Sequence, residues 1–262
     1  MAAKLYVILG SHACRTGMLL LEHKGIEYDR VELPTGFHPT AVRLLGFAGN
    51  PAPSRQVDGK TRRMLGLADR LGTVPALRLD GERIQTNREI ARFLDRIQPE
   101  PPLFPADPDR RREVEEAERW GDEVFQMAAR RLALAAVLHE DGGLVDRAED
   151  GRLGTLLWRH RATRRIGMRV VSLAFRVRGS SEPRLLAELP GMLDRIDAWI
   201  WTGVLNGDEL NAADYMIAPS LALLSYRPDL LAAIESRPAF RLMDRILPEP
   251  RGRLSAASSP SA

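Results

Sequence analysis

Apolar positions along the first hundred residues alternate between two patterns. Lys4 to Leu9 is a β-rich run with apolar residues on both faces, which suits a strand buried inside a sheet. Gly10-Ser11 punctuates it. Cys14 to Lys24 then reads as a helix, with Met18 to Leu21 as its apolar face and Gly25 as its stop. Ile26 to Leu33 reads as a second strand, so the opening is a β-α-β unit with a parallel pair. Pro34 to Gly72 carries Gly, Pro, Asn and Asp clusters and reads as a long connection with short helices. Order returns at Thr73 to Leu79, followed by the hairpin dipeptide Asp80-Gly81 and the returning strand Glu82 to Gln85. Asn87 is expected to cap a helix over Arg88 to Ile97, where Ile90, Phe93, Leu94 and Ile97 recur at helical spacing.

Five prolines between Gln98 and Pro108 mark a linker, placed at residues 99–108. Beyond it the pattern is helical. Helices are expected over Asp109 to Leu138 with a kink near Gly121, over Arg152 to Val177, and over Pro183 to Leu205 with a break at Pro190-Gly191. Two more are expected over Asn211 to Ser225 and Pro228 to Leu247. Asn211 and Asp214 form a capping-box variant. Residues 248–262 read as a disordered tail. The predicted architecture is an α/β domain over residues 1–98 and an all-helical domain over 109–247.

Composition narrows the chemistry. In 262 residues, 44% hydrophobic and 28% charged, there is core enough for one large domain or two smaller ones, which excludes a disordered chain. A single cysteine, Cys14, excludes an intrachain disulfide and a cysteine-rich zinc site; the five histidines lack metal-ligand spacing, so no metal is expected. That cysteine usage fits a reducing cytosol. The net charge of +3 comes from 35 Arg and 3 Lys interleaved with acids, which argues against binding nucleic acid through bulk charge. Arg152 to Arg178 holds eight arginines and no acid, and reads as a solvated basic helix face. No apolar run reaches about 18 residues, so no membrane span is expected, and Met1 to Gly10 reads as a strand rather than a signal peptide.

The order β-α-β, β-β-α, Pro-rich linker, helices resembles the soluble glutathione transferase family over essentially the whole chain. The residues that carry the resemblance are Gly10-Ser-His-Ala-Cys-Arg15 with Lys24-Gly-Ile-Glu-Tyr28, then Thr73-Val-Pro-Ala-Leu77, then Asn211-Ala-Ala-Asp-Tyr-Met-Ile-Ala-Pro219. They look most like the serine-type theta and delta classes. The resemblance implies a thioredoxin-like N-terminal domain and glutathione as co-substrate. It also implies a hydrophobic electrophile as acceptor, a homodimer and a cytoplasmic location. Ser11 would be the catalytic hydroxyl. A free thiol with a pKa near 8.5 is mostly protonated at neutral pH, and a hydroxyl donor at a helix N-terminus favours the thiolate. Equally, Ser11 can simply cap the helix.

The resemblance further implies a cis bond at Pro75, with the Val74 backbone pairing to the cysteinyl part of glutathione. It places the γ-glutamyl end at Thr86, Asn87 and Arg88, and the glycyl carboxylate near His38, which reads as readily as a surface-loop histidine. Thr86 departs from the acidic or amide residue usual there, and Gly72 from the usual second donor. These departures keep open another low-molecular-weight thiol and a non-catalytic ligand-binding scaffold. A third alternative is covalent chemistry at Cys14, against which Cys14 reads as a packed thiol. Trp120, Phe125 and Met127 lie on a helix that in the family often lines the acceptor pocket, and at helical spacing such residues are more often plain core.

Overall fold

The computed structural model describes residues 2–8, 10–34, 37–48, 73–139 and 182–249. β1 (Ala3–Val7) is the centre of a four-stranded sheet of order β2-β1-β3-β4. It pairs in parallel with β2 (Tyr28–Glu32) and antiparallel with β3 (Ala76–Leu79), which turns through Asp80 and Gly81 into β4 (Glu82–Gln85). Leu5 and Leu77, opposite one another in the central pair, are wholly buried, as the two-sided apolar pattern requires. α1 (His12–His23) and α3 (Asn87–Ile97) pack on one another beside the sheet, and α2 (His38–Leu44) follows β2.

The helical domain begins with α4 (Pro108–Trp120), capped by Asp107, and runs through one π turn, Gly121–Phe125, into α5 (Gln126–His139). The expected kink at Gly121 is this π turn. A β-carbon at Gly121 would stand 3.0 Å from side-chain atoms of Ile217 and Met216, so a larger residue here would push those side chains back. That neighbour is α7 (Ala212–Ser225), buried at every residue, which packs against α1, α4 and α5 and so joins the two halves. Its N-terminus carries the expected capping box: Asn211 Oδ1 accepts from Asp214 N, and Asp214 Oδ2 accepts from Asn211 N.

Three boundaries differ from expectation. α6 (Glu182–Trp201) continues through Pro190 and Gly191, because both lie on the exposed face, where the missing backbone bond is left to water. The last predicted helix is two, α8 (Pro228–Ile234) and α9 (Pro238–Ile246), each with proline in its first turn. Asp197 Oδ1 accepts from Ala239 N at 3.0 Å at the start of α9. Thr86, not Asn87, caps α3: its Oγ1 accepts from Glu89 N at 3.4 Å. The basic helix expected over 152–177, most of the 34–72 connection and residues 250–262 lie outside the described residues. Among the described residues no helix is long and apolar enough to cross a membrane, and no group of three or more His, Cys, Asp or Glu could hold a metal ion.

Candidate functional site

Ser11 sits where β1 hands over to α1. Its backbone is extended (φ −83°, ψ 112°), and its Oγ accepts the Cys14 N–H at 3.2 Å, so it caps α1. A hydroxyl that accepts through one lone pair keeps its own O–H as a donor. The cap therefore does not spend the proton that a thiolate would need, and the unpaired first-turn N–H groups of α1 lie beside it. Cys14 is buried, and burial pushes its thiol up to about 11, the hydrogen bond with Ser11 only partly offsetting it. A thiol so placed is not a nucleophile at neutral pH.

The register places the next piece. Tyr6 of β1 pairs with Ala76 of β3, and continuing that register sets Val74–Pro75 beside the end of β1 that leads to Ser11. The Val74–Pro75 bond is cis. Gly17 on α1 admits the proline: a β-carbon there would lie 3.1 Å from Pro75 and 3.3 Å from Asn87 Oδ1. Gln85 Nε2 holds the Thr73 carbonyl at 2.7 Å from the other side.

At the start of α3 the chain is strained. Thr86 has φ 72° and ψ 146°, a region a β-branched residue avoids at a cost of about 1–3 kcal/mol. Asn87 is buried and turned inward, its Nδ2 donating to the Ala13 carbonyl at 2.9 Å. Its side chain thus ties α3 to α1, and only its backbone faces the cleft end of α3. Arg88 reaches across to the helical domain, its Nε 3.5 Å from Glu118 and its Nη1 3.5 Å from Glu123. Arg92 grips Glu118 with two bonds of 3.0 and 2.8 Å. Burial raises the Glu118 carboxyl, and the two arginines oppose that rise. Glu123 Oε2 is buried and has no hydrogen-bond partner among the described residues.

The start of α5 meets α1 at the residue after Ser11. The His12 ring, buried next to Ser11, places Nε2 3.3 Å from the Gln126 carbonyl, which fits an Nε2–H donating to it. Burial holds this imidazole well below its usual value, and the charge of Arg130 adds to the effect. His38, at the start of α2, is half-buried and lowered to about 4 by burial and again by Arg130. The structure thus brings His38 within the field of Arg130, as it does Cys14 and His12. Asp122 is raised to about 7, chiefly by burial, with Arg88 and Arg130 opposing.

Four residues of the π turn and α5, Asp122, Glu123, Gln126 and Arg130, escaped the sequence reading. Asp122, Gln126 and Arg130 follow Glu118 in steps of four, but Arg119 and Glu123 lie among them, so no clean polar stripe marks them. The apolar residues singled out instead are core: Trp120, Phe125 and Met127 are all buried, and the first two stack at 5.4 Å.

No protein-family model matches the chain, and no curated protein matches it in sequence. Solved structures do match. A glutathione transferase from Populus trichocarpa superposes with a TM-score of 0.61 at 14% identity, over 99% of this chain and 95% of its own. The beta-etherase LigF from Sphingobium sp. superposes with a TM-score of 0.59 at 18% identity, over 94% and 95%. A glutathione S-transferase from Methylobacterium radiotolerans, crystallised in complex with glutathione sulfonate, gives 0.52 at 17% identity over the full length of both chains. At these identities the likeness is one of fold. The chain has the glutathione transferase fold, a thioredoxin-like N-terminal domain followed by a helical C-terminal domain.

Proposed function

We propose that the protein is a glutathione transferase-type enzyme that adds the thiolate of glutathione to an electrophilic acceptor. The observation that carries this reading is the position of Ser11. It stands at the N-terminus of α1, beside the Val74–Pro75 bond, and its O–H is a donor to sulfur, for which a bound thiol would compete with the buried Cys14. A donor and a helix N-terminus aimed at one sulfur both favour its anionic form. The thiolate then attacks the acceptor carbon; the new C–S bond forms as the acceptor's electron pair leaves with its leaving group or moves into the acceptor.

The remaining contacts follow from the same pose. The backbone N–H and C=O of Val74 pair with the cysteinyl residue. The N-terminus of α3, at Thr86 and Asn87, and the Arg88 guanidinium meet the γ-glutamyl carboxylate. Thr86 offers no charge to the ammonium of that group. Glu123, whose Oε2 is buried and unpartnered and whose Oε1 faces Arg88, is the carboxylate placed to supply it. His38 takes the glycyl end. The crystallised complex of the Methylobacterium radiotolerans protein with glutathione sulfonate supports the choice of thiol. A homodimer in the cytoplasm completes the reading.

Titration calorimetry tests it directly. Glutathione at millimolar concentration should give saturable heat and raise the melting temperature; neither effect would end the reading. Other cellular thiols form the comparison arm. One observation favours a second reading, a non-catalytic ligand-binding protein: Asn87 turns its side chain away from the cleft, which removes one side-chain contact to the thiol peptide. Binding of glutathione without conjugation of any electrophile would select it.

A further inference from the structure

Asn87 and Ser11 meet on one peptide group. Asn87 Nδ2 donates to the Ala13 carbonyl at 2.9 Å, and the N–H of that same peptide bond, Cys14 N, donates to Ser11 Oγ at 3.2 Å. A carbonyl oxygen has two lone pairs, so it takes the Asn87 bond without giving up its place in the α1 ladder. The orientation of the amide follows from its surroundings. Its Oδ1 has no hydrogen-bond partner among the described residues, and a flipped amide would set that oxygen against the Ala13 carbonyl. The bond needs α1 and α3 close together, and Gly17 gives the space: a β-carbon there would lie 3.3 Å from Asn87 Oδ1 and 3.1 Å from Pro75. An unpaired buried amide oxygen carries a desolvation cost that an apolar residue would avoid. Packing between the two helices therefore gives no reason for an asparagine here; its donor does.

Amide resonance joins the two ends of a peptide group. A donor at the carbonyl draws electron density toward oxygen and makes the N–H a stronger donor; hydrogen bonds linked in this way strengthen one another by about 10–30% per bond. A hydroxyl that accepts the stronger bond becomes in turn a stronger donor through its own O–H. We infer that Asn87 is a positioning residue for the Ser11 hydroxyl: through the Ala13–Cys14 peptide it fixes the direction and raises the donor strength of the O–H offered to the sulfur. Asn87 itself touches neither the thiol nor the acceptor. The inference rests on the thiolate role proposed for Ser11 and deepens it by naming the residue of α3 that supports that role from the neighbouring helix.

A double-mutant cycle between Asn87 and Ser11 tests it. Thiolate absorbance against pH reads the pKa of bound glutathione, calorimetry reads the affinity for S-methylglutathione, and conjugation turnover is followed across the same pH range. Asn87→Ala should raise the pKa of the bound thiol and lower turnover near neutral pH by about two- to tenfold, the range of one hydrogen bond. Turnover should recover at high pH, where the thiol ionises without help. Affinity for S-methylglutathione, which has no thiol proton to lose, should stay within about twofold, because the Asn87 side chain is turned away from the cleft. In the Ser11→Ala background the same substitution should shift the thiol pKa no further. Asn87→Leu keeps the bulk without the donor; it should repeat the result and serves where the smaller residue does not fold. A tie that only holds the helices together would weaken S-methylglutathione binding and lower turnover alike at every pH and in both backgrounds. That pattern, or an unchanged thiol pKa in the Asn87 variants, would overturn the inference and leave the glutathione reading standing. Failure of the native protein to bind either glutathione or S-methylglutathione overturns the glutathione reading and this inference with it.

Discussion

The ammonium of Lys24 lies 2.9 Å from Asp95 Oδ1, wholly buried under the segment that joins the two domains. It also donates to the carbonyls of Gln98, Pro99 and Pro101 at 2.7, 3.2 and 2.6 Å. Asp95 Oδ1 accepts the Leu103 N–H at 2.8 Å. A proline-rich crossing has few N–H groups to hold itself in place, and here one cation collects the carbonyls instead. On the neighbouring residue, His23 Nδ1 lies 2.9 Å from the hydroxyl of Tyr215 on α7. The C-terminal end of α1 thus fixes how the helical domain meets Ser11 at its N-terminal end.

Lys24→Met tests this arrangement. The methionine fills similar volume but leaves the Asp95 carboxylate and three carbonyls buried without their donor. Breaking one side of a buried pair costs about 3–5 kcal/mol. Urea denaturation should show a loss of that size. A loss under about 1 kcal/mol would mean that water reaches the linker and serves those groups.

Ser11→Ala separates the two roles of the hydroxyl. Loss of the cap should cost about 1 kcal/mol in stability. Loss of the donor should lower conjugation turnover tenfold or more and raise the pKa of the bound thiol, read from thiolate absorbance against pH. Ser11→Thr should keep both properties. Unchanged turnover in Ser11→Ala, with the stability loss present, would leave Ser11 a cap and nothing more.

Much of this fold is written in local pattern. The buried β1, the Asp80-Gly81 turn, the Pro-rich crossing and the Asn211–Asp214 box each follow from short-range preferences that the tertiary structure keeps. The misread places are those where a longer-range contact overrides them. Thr86 takes the cap at a φ that β-branched residues avoid, because Asn87 is drawn under α1 to the Ala13 carbonyl. Arg88, Glu118 and Glu123 belong together only because the end of α4 and the π turn reach α3. No spacing in the sequence announces a pairing between residues 35 apart, such as Arg88 and Glu123. The extra residue of the π turn also shifts the phase between α4 and α5, so a single helical period cannot show which side chains share the cleft face.

Cys14 should be chemically silent in the native protein. Its thiol is buried and raised to about 11. A thiol reagent at pH 7.5 should react no faster than the protein opens, and react fully in denaturant. Cys14→Ala should retain conjugation and lose about 1–2 kcal/mol through the small cavity. Rapid labelling of the folded protein, or loss of turnover without loss of stability, would return the cysteine to the mechanism.

Asp122 should leave a mark on the pH dependence of stability. Burial raises its carboxyl to about 7, Glu118 and Glu123 add to the rise, and Arg88 and Arg130 oppose it. In the unfolded chain the same group titrates near pH 3.9. Between about pH 4 and pH 7 the native state therefore keeps a proton that the unfolded state has released, and stability falls as pH rises through that window. Above about pH 7 both states are ionised and the contribution levels off at its lowest. Asp122→Asn removes this slope. Its urea midpoint should match the native protein near pH 4 and exceed it at pH 8, by on the order of 1 kcal/mol or more. The difference between the two curves isolates Asp122 from every other titrating group. A variant less stable than the native protein at pH 8 would show that the ionised carboxylate is held by the two arginines, and that its charge supports the cleft rather than straining it.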